Sequence, residues 1–141
     1  MDGLSMNSHS VNESKRWMQQ AKEDHTAAEA VHRSEIYNWS CFICHQSAEK
    51  AIKSFLYAKG CEDVWGNSLS DLCEDAIHFE PTFTMLKSIA MLLDKYYYVS
   101  RYPSQIPGGT SSSVFSEQES DKALEISKEI LDFVQDRLDA N

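Results

Sequence analysis

The sequence predicts an all-α protein, a single-domain, up-and-down bundle of about five helices. Three observations carry that expectation. Five segments repeat their apolar residues with a 3.6-residue rhythm, and none keeps up the two-residue alternation of a half-buried strand. A length of 141 residues, with 42% hydrophobic and 25% charged residues, suits one globular core. A chain of this size buries roughly 68% of its unfolded surface, enough for a core without covalent staples.

The first helix is expected from about Asn12 to His32, with Trp17, Met18, Ala21, Ala28 and Val31 on one side, and with Ser10 and Glu13 at capping-box spacing ahead of it. The second runs from about Asn38 to Lys59 and stops at Gly60. Its apolar arc of Cys41, Cys44, Ala48, Ala51, Ile52, Phe55 and Leu56 is broad, as for a central helix that touches two neighbours. After a linker from Cys61 to Asn67, a shorter helix spans about Ser68 to Phe79, with Leu69, Leu72, Cys73, Ala76 and Ile77 inward. Pro81 suits the first turn of a fourth helix, which carries Met85, Leu86, Ile89, Leu92, Leu93 and Tyr96 and must end before Pro103. The stretch Arg101 to Phe115 reads as an irregular loop. Ser116 and Glu119 form a second capping box, from which the last helix packs Leu124, Ile130, Leu131, Val134 and Leu138. Residues 1–11 are polar and Ser-rich and read as a flexible leader, and residues 12–141 as the bundle.

Charge and composition narrow the function. A formal charge of −9, from 22 acids against 13 bases, repels an extended phosphate backbone, so no extended nucleic-acid partner is expected. A compact anion needs only two or three convergent cations and stays compatible with that charge. No apolar stretch approaches the ~20 residues of a membrane span. The start lacks the basic-then-apolar order of a secretory signal, so the expected location is cytoplasmic and Cys41, Cys44, Cys61 and Cys73 read as reduced thiols.

Two places can carry chemistry. On the second helix Gln46, Glu49, Lys50 and Lys53 form a polar stripe. It is either a binding face or a solvated one, with Glu49 and Lys53 as an ion pair of ~0.3 kcal/mol. At the end of the fourth helix Asp94, Tyr97, Tyr98 and Arg101 lie within two turns. Consecutive tyrosines turn ~100° per step, so at least one of Tyr96, Tyr97 and Tyr98 must reach the surface or a cleft. Arginine beside exposed rings suits a phosphate or a purine; equally, Arg101 can cap the helix C-terminus. Cys41 and Cys44 have zinc-like spacing without a second ligand pair and read as core, so no metal site is expected. Gly108-Gly109-Thr110 lacks the Lys-Ser/Thr of a phosphate loop.

These two segments resemble the HEPN (higher eukaryotes and prokaryotes nucleotide-binding) family. Ala48-Glu49-Lys50-Ala51-Ile52-Lys53-Ser54-Phe55-Leu56 resembles its second-helix Ala-Glu-Lys-x-x-Lys core. Leu93-Asp94-Lys95-Tyr96-Tyr97-Tyr98-Val99-Ser100-Arg101-Tyr102-Pro103 resembles its aromatic-then-Arg-Tyr-Pro element, and Ser68-Leu69 with Leu72 the short helix between them. The run Trp39-Ser40-Cys41-Phe42-Ile43-Cys44 is similar to the matching helix in the sacsin-like branch, co-chaperones in which HEPN follows a J-domain.

The resemblance implies a helical bundle that forms a homodimer and meets chaperone-type protein partners. It also implies a nucleotide, GTP or ATP, held by Lys50, Lys53 and Arg101 as cations with Tyr97 and Tyr98 as aromatics, and no other cofactor. The alternative is a protein-protein interaction domain with no nucleotide site. A ribonuclease branch of the family uses Arg, four to six residues, then His. No histidine follows Arg16, Arg33, Arg101 or Arg137 at that spacing, so the group that exchanges protons near neutral pH is missing and no enzyme is expected.

Overall fold

The computed structural model describes residues 8–140, and every regular element among them is helical. In chain order these are α1 (Ser8–Arg33), α2 (Tyr37–Ala58), α3 (Leu69–Ile77), α4 (Phe83–Asp94), a single turn α5 (Tyr96–Val99), a 3-10 turn (Pro103–Gln105), a second single turn α6 (Ser111–Val114), and α7 (Glu117–Asp139). The five longer helices form one bundle around α2, which touches all six other α-helices. The broad apolar arc has this consequence: Cys41, Cys44, Ala48, Ala51, Ile52, Phe55 and Leu56 are all buried.

A seven-residue repeat sets how the long helices meet. On α1, Ala21 and Ala28 are fully buried, and their carbonyls accept hydrogen bonds from Ser47 (2.7 Å) and Ser40 (3.0 Å) of α2. His25 and His32, also seven apart, meet Ser127 (2.9 Å) and Ser120 (2.7 Å) of α7. Seven residues are close to two helical turns, so each repeat stays on one face, and small side chains let the antiparallel axes approach closely. The hydroxyls on these faces are satisfied, which removes the penalty of burying them. Beneath α4, the rings of Phe55, Phe83 and Phe133 run in sequence at centroid spacings of 4.6 and 5.1 Å.

Several boundaries differ from the sequence expectation. Residues 1–7 of the expected leader lie outside the described residues, but Ser8–Val11 already belongs to α1. Nothing between Ser8 and Val11 breaks a helix, and Val11 lines a cavity with Met18 and Leu138, so an added turn finds apolar contact. Glu13 consequently pairs with Arg16 rather than closing a cap at Ser10. The fourth helix ends at Asp94, and Tyr96 begins a separate turn. Met85 is 72% exposed, because Phe83, Leu86, Ala90 and Leu93 set the buried phase of α4 and leave its neighbour outside. The stretch after Arg101 is not wholly irregular, since it holds the 3-10 turn and α6. The capping box of Ser116 and Glu119 is present at the start of α7.

The turns ending α1 and α2 share one hydrogen-bond pattern with different residues. After α2, Gly60 (φ 91°) sits in the left-handed position, with Gly60 N–H donating to Tyr57 and Cys61 N–H to Leu56. After α1 that position falls on Glu35 (φ 63°), with Glu35 N–H donating to His32 and Ile36 N–H to Val31. A β-carbon there costs about 1–2 kcal/mol, partly offset by the lower unfolded-state freedom of a non-glycine residue. Glu35→Gly is therefore expected to stabilise the fold by about 0.5–1 kcal/mol in urea unfolding; a loss of stability would mean that Glu35 makes a compensating contact.

Candidate functional site

The stripe of Phe42, Gln46, Glu49 and Lys53 is spaced four, three and four residues apart and so lies on one side of α2, but it is not the solvated face the sequence allowed, because Glu49 and Lys53 are buried. Along one edge lies α1. Lys50 pairs there with Asp24, and Lys53 pairs with Glu49 (2.9 Å) while its ammonium lies 5.6 Å from the Trp17 ring. Along the other edge lie α5 and the turn after it. Both Nε and Nη2 of Arg101 donate to the Tyr97 carbonyl (3.0 and 2.7 Å), so the helix-capping role is realised. The same guanidinium lies over Phe42 (4.1 Å), Tyr97 (4.6 Å), Tyr102 (5.0 Å) and Tyr98 (5.9 Å). Tyr98 is 55% exposed and Tyr102 48%, which leaves ring faces open to solvent beside the cation.

Of the residues expected from sequence, Tyr97, Tyr98 and Arg101 come together as one cluster, and Lys50 and Lys53 as another. Phe42, the platform under Arg101, precedes Lys50 by eight and Lys53 by eleven residues on α2, about 12 and 16 Å along the axis. Eleven residues are close to three full turns, so Lys53 returns to the side that carries Phe42. The two clusters are the ends of a strip. Their pairing differs: each lysine already faces a carboxylate, whereas among the described residues Arg101 makes no ion pair.

Beneath the aromatic end sits a group that sequence reasoning named only in part. His45 is fully buried, and its Nε2 lies 3.1 Å from Oδ1 of Asp94, the last residue of α4. The Asp94 carboxylate also accepts from the backbone N–H of Leu69 (2.8 Å) and Ser70 (3.0 Å), while Ser68 accepts from Asp71 N–H. Three of the four N–H groups that open α3 are thereby satisfied, two by a carboxylate at the favourable end of the helix dipole. Burial alone would raise the Asp94 carboxyl, but the hydrogen bonds from His45, Leu69 and Ser70 outweigh it and hold it below its ordinary 3.8. The His45 ring lies 4.8 Å from that of Tyr97, whose hydroxyl accepts from Asn67 (2.9 Å). Phe42 and Tyr102 were likewise not singled out; the signal for Phe42 was its place four residues before Gln46 on the stripe.

Cys41 and Cys44 are core, as their place on the α2 arc suggested, and Cys73 is buried on α3. Desolvation pushes the Cys41 and Cys73 thiols up to about 12 and Cys44 higher still, while Cys61 is only partly buried and shifted less. One further group, His32, Glu117 and Asp121, brings three potential metal-ligand atoms within 4.8 Å of one another, but His32 already lies 3.1 Å from Asp121 and 2.7 Å from Ser120, and both acids are exposed.

A family model described as HEPN domain matches residues 14–137. Among solved structures, TT1696 from Thermus thermophilus is 32% identical with a TM-score of 0.81, the match covering 89% of this chain and 98% of that one. ST0689, an archaeal HEPN homologue, is 30% identical at a TM-score of 0.73, covering 88% and 96%. An HEPN domain protein from Thermotoga maritima (tm0613) is 27% identical at 0.71, covering 88% and 98%. No curated protein matches the chain.

Two outcomes test the geometry. Asp94→Ala is expected to cost about 2–4 kcal/mol in urea unfolding, since it leaves a buried imidazole and two helix N–H groups without their acceptor. Because the folded carboxyl titrates below 3.8, its contribution is complete above that pH and is lost as pH falls through the lower folded value. Asp94→Asn should therefore flatten the acid limb of the stability profile, and an unchanged limb would contradict the assignment. With iodoacetamide under native conditions, Cys61 should react first while Cys41, Cys44 and Cys73 wait for unfolding.

Proposed function

The chain belongs to the HEPN domain family, and from that premise we propose that it is a non-catalytic, dimerising module that binds a nucleotide such as GTP or ATP along the strip of α2 that runs from Phe42 toward Lys50 and Lys53. The observation that carries the reading is Arg101: a cation without a carboxylate partner among the described residues, framed by four rings of which two are about half exposed. A purine would stack on Tyr98 or Tyr102 and take cation–π support from the guanidinium. The phosphates would extend toward Lys50, which is partly exposed and would exchange Asp24 for phosphate oxygens, while Lys53, buried with Glu49, would first have to be uncovered. That exchange limits the gain, so modest affinity is expected.

The non-catalytic part rests on where the proton-transfer groups lie. His45, nearest the strip, has no solvent exposure and both ring nitrogens in hydrogen-bond contact, with Gln46 and Asp94. His25 and His32 face α7. Dimerisation draws support from the family resemblance and from the exposed Ile36 and Trp39 where α2 begins. A place in a sacsin-like co-chaperone, with chaperone-type partners, draws only on the run from Trp39 to Cys44. The second reading, a protein-binding module with no nucleotide site, is favoured by one observation: both lysines of the strip are already neutralised.

Calorimetry separates the two. GTP or ATP should give saturable heat with the wild type. Arg101→Lys, which keeps the charge and loses the planar fork, should weaken binding about tenfold, and Lys50→Ala with Arg101→Ala should abolish it. Undiminished heat in the double variant removes the site, and no heat with the wild type leaves the protein-binding reading. Light scattering at several concentrations should give twice the monomer mass of 16.1 kDa; a monomer throughout removes the dimer.

A further inference from the structure

Where the loop after α2 meets the end of α3 lies a cavity of about 460 Å³. Its apolar wall is formed by Leu56, Val64, Trp65 and Phe79, and its polar rim by Glu62, Asp63 and Asp75 with one histidine, His78, among the three carboxylates. Trp65 is 83% exposed and Phe79 46%, although burial of such rings is what ordinarily stabilises a fold. The three carboxylates make no ion pair with any described Lys, Arg or His, whereas Glu74, on the same helix as Asp75, is paired with Lys87. Asp75 lies near the C-terminus of α3, whose terminal carbonyls add negative potential to the rim.

The loop that presents Trp65 is held in place. Val64 N–H donates to the Tyr57 hydroxyl (3.2 Å), the Tyr57 ring stacks on Trp17 at 5.4 Å, and Asn67 donates to the Tyr97 hydroxyl. An open tryptophan on a tied loop is a pre-organised contact, one that requires little ordering on association. We infer that this corner is a docking groove for a segment of a partner protein in which arginine or lysine alternates with large apolar side chains. The apolar residues would cover Trp65 and Phe79, and the cations would meet Glu62, Asp63 and Asp75. Charge complementarity selects this occupant: an acidic or phosphate-bearing partner would meet the unpaired carboxylates of a chain already at −9.

The probe is a synthetic peptide of about twelve residues built from Arg, Leu and Ala, with two controls, Glu in place of each Arg and Ser in place of each Leu. Two-dimensional NMR follows the indole N–H signals of Trp17, Trp39 and Trp65. The Arg/Leu peptide should move the Trp65 signal and leave the other two in place, and neither control should do so. Trp65→Ala, and separately Glu62→Gln with Asp75→Asn, should each weaken binding about tenfold, the second effect shrinking at high salt. Circular dichroism should show unchanged folding, since these side chains are exposed or at the rim. The inference is overturned by a still Trp65 signal, by equal binding of the Glu peptide, or by variants that bind like the wild type. It is also overturned if Trp65→Ala instead abolishes self-association of the wild type, which would make the corner an interface between two copies of this chain.

Discussion

A single carboxylate joins three of the helices. Asp94 ends α4, receives His45 from the middle of α2, and receives two backbone N–H groups from the start of α3. Each partner would otherwise be an unsatisfied polar group at a buried helix junction, and such groups cost more than the hydrogen bond itself contributes. The arrangement also fixes direction. Because Asp94 must reach α3 from the last turn of α4, the chain leaves α4 at a set angle, and Tyr97 is laid against His45 with Phe42 alongside. Arg101 then finds its platform through Tyr97. The aromatic end of the strip is thus a consequence of how α3 is capped.

Much of the fold was legible because it rests on local rules. Gly60 ended α2 where a left-handed residue was needed, and Ser116 with Glu119 opened α7. The arc from Cys41 to Leu56 announced a central helix. What was not legible depends on pairs far apart in sequence. The serines at 40, 47, 120 and 127 look like ordinary helix-surface residues, yet all four are fully buried, with partners 12, 26, 88 and 102 residues away. No window of local periodicity marks a polar residue as inward when its hydrogen-bond partner lies on another helix. Glu35 was hidden for a related reason: the pattern of backbone bonds that ends α1 puts a non-glycine residue in the left-handed region, and residue type alone gives no hint of it.

The site was legible to a similar degree. Tyr97, Tyr98 and Arg101 are neighbours in sequence and stayed neighbours in space, and Lys50 and Lys53 lie one turn apart on α2. The rest required the tertiary fold: Phe42 under the guanidinium, Asp24 against Lys50, and Asp94 against a histidine that sequence left without a role. Sequence offered the Glu49–Lys53 pair within α2, which forms, but could not show that Lys50 finds Asp24 on another helix while Arg101 finds no carboxylate among the described residues.

That distinction bears on the proposed binding of an anion by so acidic a protein. A lysine in contact with a carboxylate must give up one partner to gain another, and the exchange is close to neutral in energy. An arginine held by ring faces and a backbone carbonyl is in a different position. The rings offer the negative side of their quadrupoles and the carbonyl its dipole, so the guanidinium is stabilised without its charge being cancelled. In the proposed complex a phosphate would gain attraction without first breaking an ion pair. The surrounding charge of −9 still repels a long polyanion, whose many phosphates cannot all lie at one arginine. A compact anion with an aromatic base escapes that limit, because its stacking is indifferent to net charge.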